Sequence, residues 1–528
     1  MASMDTEITR IDNDIQRLIQ RRDGLLRKQK GLWAGRNEVS QPLVHRLDSD
    51  VLGTIFEASA AYAFDQPLIL GSVCQKWRAT AVRTPRLWEN IYINIPGRPW
   101  GGDASSELFE LYEEQMRRKE NRLRAWLDRS GSVPLIVSFH AAAFPLDRIG
   151  SQQVWGDFLR LQRKLTHIIM DHSQRWRSVT LRAPSYLRRL LDDAGVLGSL
   201  RTLRLLPPTD RKKFVPRGAQ LSDVESFLRA PIRELVLEDN LLDMYDLPVA
   251  WDSLTSVVID FVDGIPIATA LSILSAGATN LQDCSLRISN IRDLDDPVMP
   301  MSFPKLESLA LFIAVDGVGL EEVAPRMQDI GGGIVATALQ SFQVECTPLK
   351  STRRILEWPF NSLLGSKMTS LSFNLDGLGP HAIVTILACI PSLGSLTLTN
   401  ITPMTIKGVV SFLISGVDGR VLCPWLTEIR VDLYRWYDDP IEEMFEEVTR
   451  LVECRIEENG ETAPLKRVWG RSSTFPRSRN LSHKIKLLRQ KGVDIEWAYS
   501  TTKQIGVGFD YGDEDTEDES HHAFPFRV

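Results

Sequence analysis

A six-residue hydrophobic pattern, repeated along most of the chain, constrains its fold more than any other feature. The pattern is apolar-x-x-apolar-x-apolar, and its ten copies span 250 residues in nine intervals, about 28 residues each. Such short runs predict strands, and the stretches between them are long enough for a helix. Strand alternating with helix at this period predicts an α/β solenoid with a parallel sheet, and the alternative is a non-repetitive α/β domain. The copies begin at Trp176, Leu200, Ile232, Leu254, Leu281, Leu306, Leu339, Met368, Leu393 and Leu426.

The pattern also assigns a direction to each side chain of a predicted strand. The three apolar positions point into the core, and the residues between and beside them point to the open face of the sheet. Cys284 holds an inward position, so it is expected to be a small buried residue rather than a reactive thiol. Solenoids tend to bind partners on the open face, although plain solvation is the alternative for any single residue. The outward residues predicted to bind a partner are Glu234, Arg287, Phe312, Glu345, Asn374 and Arg430.

A second segment, residues 47–88, places many large apolar side chains in a short stretch. A segment of this size cannot easily bury them all internally, so some are expected to face a partner. Two short helices are predicted here. In the second helix Val73, Trp77 and Ala81 share one face, and Pro85 stops it, because the residue before a proline disfavours helical geometry. The apolar residues of the first helix are Val51, Leu52, Ile55 and Phe56.

This segment resembles an F-box, in the F-box-like form found in many fungal proteins. The usual shape of that motif is Leu-Pro-x-Glu-Ile-Leu-x-x-Ile-Phe, followed by Val-Cys-x-x-Trp-Arg and Thr-Pro-x-Leu-Trp. Asp48 stands where the family has proline, and Asp50 where it has glutamate. Residues 126–135 and 172–179 are also similar to segments that follow the F-box in the fungal family. The matching residues are Leu47, Val51, Leu52, Ile55, Phe56, Val73, Cys74, Trp77, Arg78, Thr84, Pro85, Leu87 and Trp88.

The resemblance implies a small helical domain that binds a Skp-family adaptor of a cullin-based (SCF) ubiquitin ligase. The chain would then be a substrate-recognition subunit, and its leucine-rich-repeat-like solenoid would hold a substrate protein on the six outward residues. The missing proline at position 48 keeps an alternative open, a protein-binding scaffold that acts without a ligase. The adaptor contacts implied by the resemblance are Leu47, Val51, Leu52, Ile55, Phe56, Val73, Trp77, Leu87 and Trp88.

Composition divides the chain further. A helix is predicted from Ser106 to Arg129, a strand from Val133, and a last helix and strand across 481–497 with Gly492 as the turn between them. Seven acidic residues fall within 510–519, and such a block is expected to be disordered. Residues 1–38 are predicted to form a charged helix, for which three roles are open: a short coiled coil, a helix packed on the body, or a basic patch. The predicted segments after it are the F-box-like domain (42–95), a linker and helix (96–130), the solenoid (131–500) and the acidic tail (501–528).

Several classes of function are disfavoured. A formal net charge of −6 argues against nucleic acid as the main partner, and no apolar run is long enough to predict a membrane span. Six scattered cysteines without a Cys-x-x-Cys pair favour a reducing compartment, the cytoplasm or the nucleus. No nucleophile elbow, phosphate-binding loop or metal-binding histidine pair is present in the sequence. The sequence therefore predicts a binding protein with no enzymatic activity, no cofactor and no metal.

Overall fold

The fold was determined from a computed structural model, and it is mixed α/β. The chain forms two compact units, Met1–Asp295 with Met301–Leu306, and Asp296–Pro300 with Glu307–Val528. The predicted acidic tail, 501–528, and residues 1–9 and 11–15 of the predicted N-terminal helix lie outside the described residues. The structure describes residues 10, 16–29, 31, 47–60, 66–96, 106–141, 152–193, 195, 197–208, 224–238, 247–262, 264–289, 300–314, 330, 332–347, 367–374, 379–399, 401–417, 420–433, 441–457, 463–472 and 479–499.

The first unit combines a group of N-terminal helices with a parallel sheet. Its helices are α1 (16–29), α2 (Ser49–Ala60), α3 (Gln66–Val73), α4 (Gln75–Arg83), α5 (Ser106–Ser130), α6 (Gln152–Met170), α7 (Ser185–Asp192), α8 (Glu225–Leu228) and α9 (Ile267–Gly277). Its strands are β1 (Asn90–Ile95), β2 (Leu135–Ala141), β3 (Trp176–Arg182), β4 (Thr202–Leu206), β5 (Glu234–Leu237), β6 (Ser256–Ile259), β7 (Ile265–Pro266), β8 (Asp283–Ser289) and β9 (Met301–Ser302).

The strands of the first unit pair in the order of the sequence. From β1 to β6 each strand pairs in parallel with the next, β6 pairs with β8, and β7 pairs with the end of β8. The register puts equivalent pattern positions side by side, so that Leu203 pairs with Leu235, Leu235 with Val257, and Val257 with Cys284. All four side chains are buried. The repeated pattern thus supplies one continuous apolar row to the core of this unit.

The second unit repeats this arrangement. Its strands pair in parallel in sequence order from β10 through β12 to β17, and Leu309, Phe342 and Leu371 form a buried row across neighbouring strands. Its strands are β10 (Ser308–Ala314), β11 (Ile334–Val335), β12 (Ser341–Thr347), β13 (Ser370–Asn374), β14 (Ser395–Thr399), β15 (Glu428–Leu433), β16 (Arg467–Ser472) and β17 (Asp494–Tyr499). Its helices include α10 (Pro380–Ala388), α11 (Pro403–Ser415), α12 (Ile441–Glu457) and α13 (Arg479–Gln490).

The predicted strand positions are confirmed in both units. Nine of the ten pattern copies begin two residues before a strand, as Leu306 precedes Ser308, and the tenth begins with the strand at Trp176. The predicted helix 106–129 is observed as α5, and the last helix and strand are α13 and β17. Gly492, between these two, adopts a φ of +89°, a left-handed conformation that glycine adopts without strain.

Two expectations differ from the structure. Val73 does not share a helix with Trp77, because α3 ends at Val73 and α4 begins at Gln75. Cys74 stands between them with extended backbone, and its Sγ accepts a hydrogen bond from the N–H of Trp77 as the N-cap of α4. The parallel sheet also begins earlier than residue 131, because β1 pairs with β2.

Of the helices that the structure describes, none has both the length and the apolar character needed to cross a membrane.

Candidate protein-binding surface

The segment 47–88 folds as a cluster of three helices and a short 3-10 turn, Pro85–Trp88. Helix α2 packs against α3 and α4, and the turn packs against α5. The centre of the cluster is apolar, and the rings of Phe56 and Trp77 lie 5.0 Å apart between their centroids. Thr84 ends α4, where its hydroxyl donates to the carbonyl of Thr80 over 2.8 Å. The buried core residues are Leu52, Phe56, Leu70, Leu87 and Trp88.

Trp88 joins this cluster to the rest of the unit. Its indole Nε1 donates to the carbonyl of Ala81 over 2.7 Å, which fixes the turn against the end of α4. Its ring meets the Trp126 ring of α5 edge-on, with centroids 4.7 Å apart, and the guanidinium carbon of Arg129 lies 4.5 Å from its centroid. Aromatic pairs and cation–π contacts of this geometry each stabilise by roughly 0.5–1.5 kcal/mol. Trp88 is therefore one of the residues that hold the helical cluster on α5.

Two adjoining helices of the cluster expose aliphatic side chains. Isolated apolar side chains are common on protein surfaces, but a set of large ones on packed neighbouring helices indicates an interaction site. We call this set the exposed aliphatic set. It consists of Val51 (48% exposed) and Ile55 (48%) on α2, with Leu68 (42%), Ile69 (51%) and Val73 (57%) on α3.

The nine predicted adaptor contacts are divided by the structure into three groups. Three are exposed and belong to the exposed aliphatic set, whereas Leu47 and Trp77 are half-buried. The carbonyl of Leu47 is held by the ammonium of Lys76 over 2.6 Å. The other four, Leu52, Phe56, Leu87 and Trp88, are core residues, so they shape the surface from beneath. Leu68 and Ile69 were not predicted, although the apolar run 67–70 was a signal for them.

The outward sheet residues of the first unit are engaged in polar contacts along the sheet. Glu234 is exposed on β5, and its carboxylate accepts a hydrogen bond from the hydroxyl of Thr202 on β4 over 3.1 Å. Arg287 on β8 forms an ion pair with Asp260.

Cys284 is buried as predicted, and burial raises the pKa of its thiol to about 12.

In the second unit one outward residue, Arg430, forms a cation–π pair, and the other three lie on strands β10, β12 and β13. The guanidinium carbon of Arg430 on β15 lies 3.9 Å from the ring centroid of Trp469, its neighbour in register on β16. Phe312 and Glu345 are half-buried and adjacent in register on β10 and β12. Asn374 ends β13, but its side chain lies outside the described residues. The six predicted residues thus belong to the faces of two units, and Trp469 is a further aromatic that the sequence did not reveal.

Within the part of the chain that the structure describes, no group of three or more His, Cys, Asp or Glu side chains is arranged to hold a metal ion. The sequence matches no model of a known protein family, and a comparison with curated proteins finds no match either.

Proposed function

We propose that this chain is an F-box-type substrate-recognition subunit of a cullin-based ubiquitin ligase. The observation that supports this proposal is the exposed aliphatic set, which lies within the segment that resembles the F-box. A Skp-family adaptor binds there, against Val51, Ile55 and Val73, with Leu47 and Trp77 beside them. The four buried motif residues keep α2, α3 and α4 in place and do not contact the adaptor.

The exposed area is large enough to matter for affinity. Full burial of a Val, Leu or Ile side chain contributes about 1.5–3 kcal/mol, and each member of the set still has roughly half of its surface exposed. Covering all five side chains therefore contributes about 5 kcal/mol before association costs. A micromolar complex requires about 8 kcal/mol, so the set supplies a major share and polar contacts around it supply the rest.

The alternating strands and helices form, in this proposal, a leucine-rich-repeat-like solenoid that captures the substrate protein. Its open face carries charges of both signs, which favour a complementary partner and disfavour others. Ubiquitin transfer is performed by other subunits, and the chain itself has no catalytic role. The complex works in the cytoplasm or the nucleus. The substrate contacts are Glu234, Arg287, Phe312, Glu345, Asn374 and Arg430, with Trp469 added from the structure.

The ligase assignment is tested by purifying the tagged chain from a fungal host and identifying its partners by mass spectrometry. We expect a Skp-family adaptor and a cullin to co-purify with the wild-type chain. Recovery of other proteins without adaptor or cullin would support the ligase-independent scaffold instead.

Substrate capture is tested in the same purification with the triple variant Arg287→Glu, Phe312→Ala, Arg430→Glu. The variant is expected to lose the substrate proteins and to retain the adaptor. A matched control, Arg163→Glu with Lys491→Glu, reverses exposed charges on α6 and after α13 and should retain both. Equal substrate recovery by the triple variant would place the binding site elsewhere.

A further inference from the structure

A cleft of about 350 Å³ opens between β1 and α5 in the first unit. Its apolar wall is formed by Leu123, Trp126 and Leu165, and the backbone of β1 forms the opposite side. Lys119 and Arg122 of α5 border it, and none of the described side chains that line it is acidic. The cleft is formed by elements other than α2 and α3, so it is separate from the exposed aliphatic set.

The strand that lines this cleft is an edge strand. Among the described strands β1 pairs with β2 alone. The carbonyl of Glu89 accepts from the N–H of Ile136, so the odd-numbered residues of this segment direct their peptide groups towards β2. Because peptide groups alternate in direction along a strand, those of Asn90 and Asn94 point to the opposite side. The indole N–H of Trp126 donates to the carbonyl of Asn90 over 3.1 Å, which shows that the cleft lies on that side.

The two cations at the cleft have no carboxylate partner among the described residues. On the same helix Arg117 and Arg118 are paired with Glu114, and Arg124 with Glu120. Lys119, in contrast, forms no hydrogen bond or ion pair with any described residue, and Arg122 contacts the Trp126 ring, with its guanidinium carbon 5.1 Å from the centroid. Burial lowers the pKa of Lys119, and the positive charge of Arg122 lowers it further. Lys119 and Arg122 therefore give this side of the cleft a positive charge that is complementary to a carboxylate.

We propose that the cleft binds an extended peptide segment with acidic side chains, which adds to the sheet as a strand beside β1. Strand addition uses the backbone of an exposed edge for affinity and side-chain pockets for specificity. The outward peptide groups of Asn94 supply the backbone contact, and the apolar wall accepts alternate apolar side chains. Lys119 and Arg122 lie three residues apart, on the same face of α5, and receive the carboxylates.

The probe is a fluorescein-labelled, capped peptide in which glutamate alternates with valine, and its binding to the full chain is followed by fluorescence anisotropy. Two matched peptides separate the contributions. Glutamine in place of glutamate removes the charges, whereas N-methylation of every peptide nitrogen keeps the charges and the valine side chains but removes the backbone donors needed for pairing. We expect the glutamate–valine peptide to bind, and each matched peptide to bind at least about tenfold more weakly.

Variants of the chain test the same contacts. Lys119→Gln with Arg122→Gln should weaken binding at least about tenfold, while Arg163→Gln on α6 should leave it unchanged. Asn94→Pro removes an N–H that points to the cleft but leaves the β2 pairing intact, and it should also weaken binding. Hydrogen exchange of α5 and β1 checks that the variants are folded.

Three results would overturn the inference. Absence of binding by the glutamate–valine peptide would exclude the site. Equal binding of the N-methylated peptide would exclude strand addition, and an unaltered affinity for the glutamine peptide or the double variant would exclude recognition by the two cations.

Discussion

Substitution of Trp88 separates a core role from a partner-binding role. The F-box resemblance implied that this residue contacts the adaptor, whereas the structure leaves it 2% exposed between α4 and α5. We therefore expect Trp88→Ala to loosen the attachment of the helical cluster to α5. Trp88→Phe should be much milder, because it keeps a ring against Trp126 and loses only the hydrogen bond to Ala81.

The structure gives the size of both effects. Truncation of a buried tryptophan to alanine costs about 3–5 kcal/mol, a value that already includes the lost contacts with Trp126 and Arg129. In Trp88→Phe the carbonyl of Ala81 still accepts a hydrogen bond from the N–H of Thr84 over 3.4 Å, so it does not become a buried acceptor without a donor. Loss of one such hydrogen bond costs about 1 kcal/mol.

Native-state hydrogen exchange with mass spectrometry measures these values locally, over α4 and α5. A loss of about 4 kcal/mol corresponds to roughly thousandfold faster exchange of the most protected amides, and about 1 kcal/mol to roughly fivefold. Trp425→Ala in the second unit is the control, because Trp425 is 65% exposed and should leave exchange unchanged. Wild-type exchange in Trp88→Ala together with lost adaptor binding would show that Trp88 faces the partner.

Three further predictions concern the backbone and the thiols. Gly264 has a φ of +71°, and an added Cβ would lie 2.7 Å from the backbone nitrogen of Ser289, so Gly264→Ala should destabilise by about 1–3 kcal/mol. Gly156→Ala, in open space on α6, should instead stabilise by up to about 1 kcal/mol, and thermal melting compares the two. Cys284 should resist maleimide while exposed Cys389 reacts, as mass spectrometry would show. The pKa of Cys284 is about 12 in the folded state, so with rising pH its thiol ionises first in the unfolded chain, which is thereby stabilised. The free energy of unfolding should therefore fall as pH rises above about 9. This fall should be smaller in Cys284→Ala.

The strand positions were predictable because the apolar spacing is itself the structural requirement. A parallel strand must present alternate side chains to the core, so Leu309 and Leu311 mark β10 and Leu396 and Leu398 mark β14. Each copy carries this information within six residues, and irregular loop lengths do not erase it.

The missed elements lacked such a signal or had it in a different form. In β1 the alternation of Ile91, Ile93 and Ile95 indicated a strand, but the six-residue pattern does not include it. In β16 only Val468 and Gly470 are buried among the residues whose burial is described, and glycine adds no apolar side chain, so the strand has too little apolar periodicity to recognise. The break at Cys74 involves neither glycine nor proline, the usual markers of a helix end.

The division of the motif residues into buried and exposed could not be predicted locally. Leu87 and Trp88 are covered because α5 packs on the 3-10 turn, and that helix begins some twenty residues later in the chain. A pattern of apolar spacing shows which side chains share a face of a helix. It does not show whether that face meets another helix of the same chain or a partner.

The most direct test of adaptor recognition is a titration of purified Skp-family adaptor against the wild-type chain and two variants. The double variant, Ile55→Asp with Ile69→Asp, removes two members of the exposed aliphatic set and places unpaired charges in the interface. The control, Leu111→Asp, adds a charge at a residue of α5 that is 64% exposed and lies outside this set. We expect the wild-type chain and the Leu111→Asp control to bind equally, and the double variant to bind at least about a hundredfold more weakly. Absence of binding by the wild-type chain, or equal binding by all three proteins, would contradict the assignment of this surface to the adaptor.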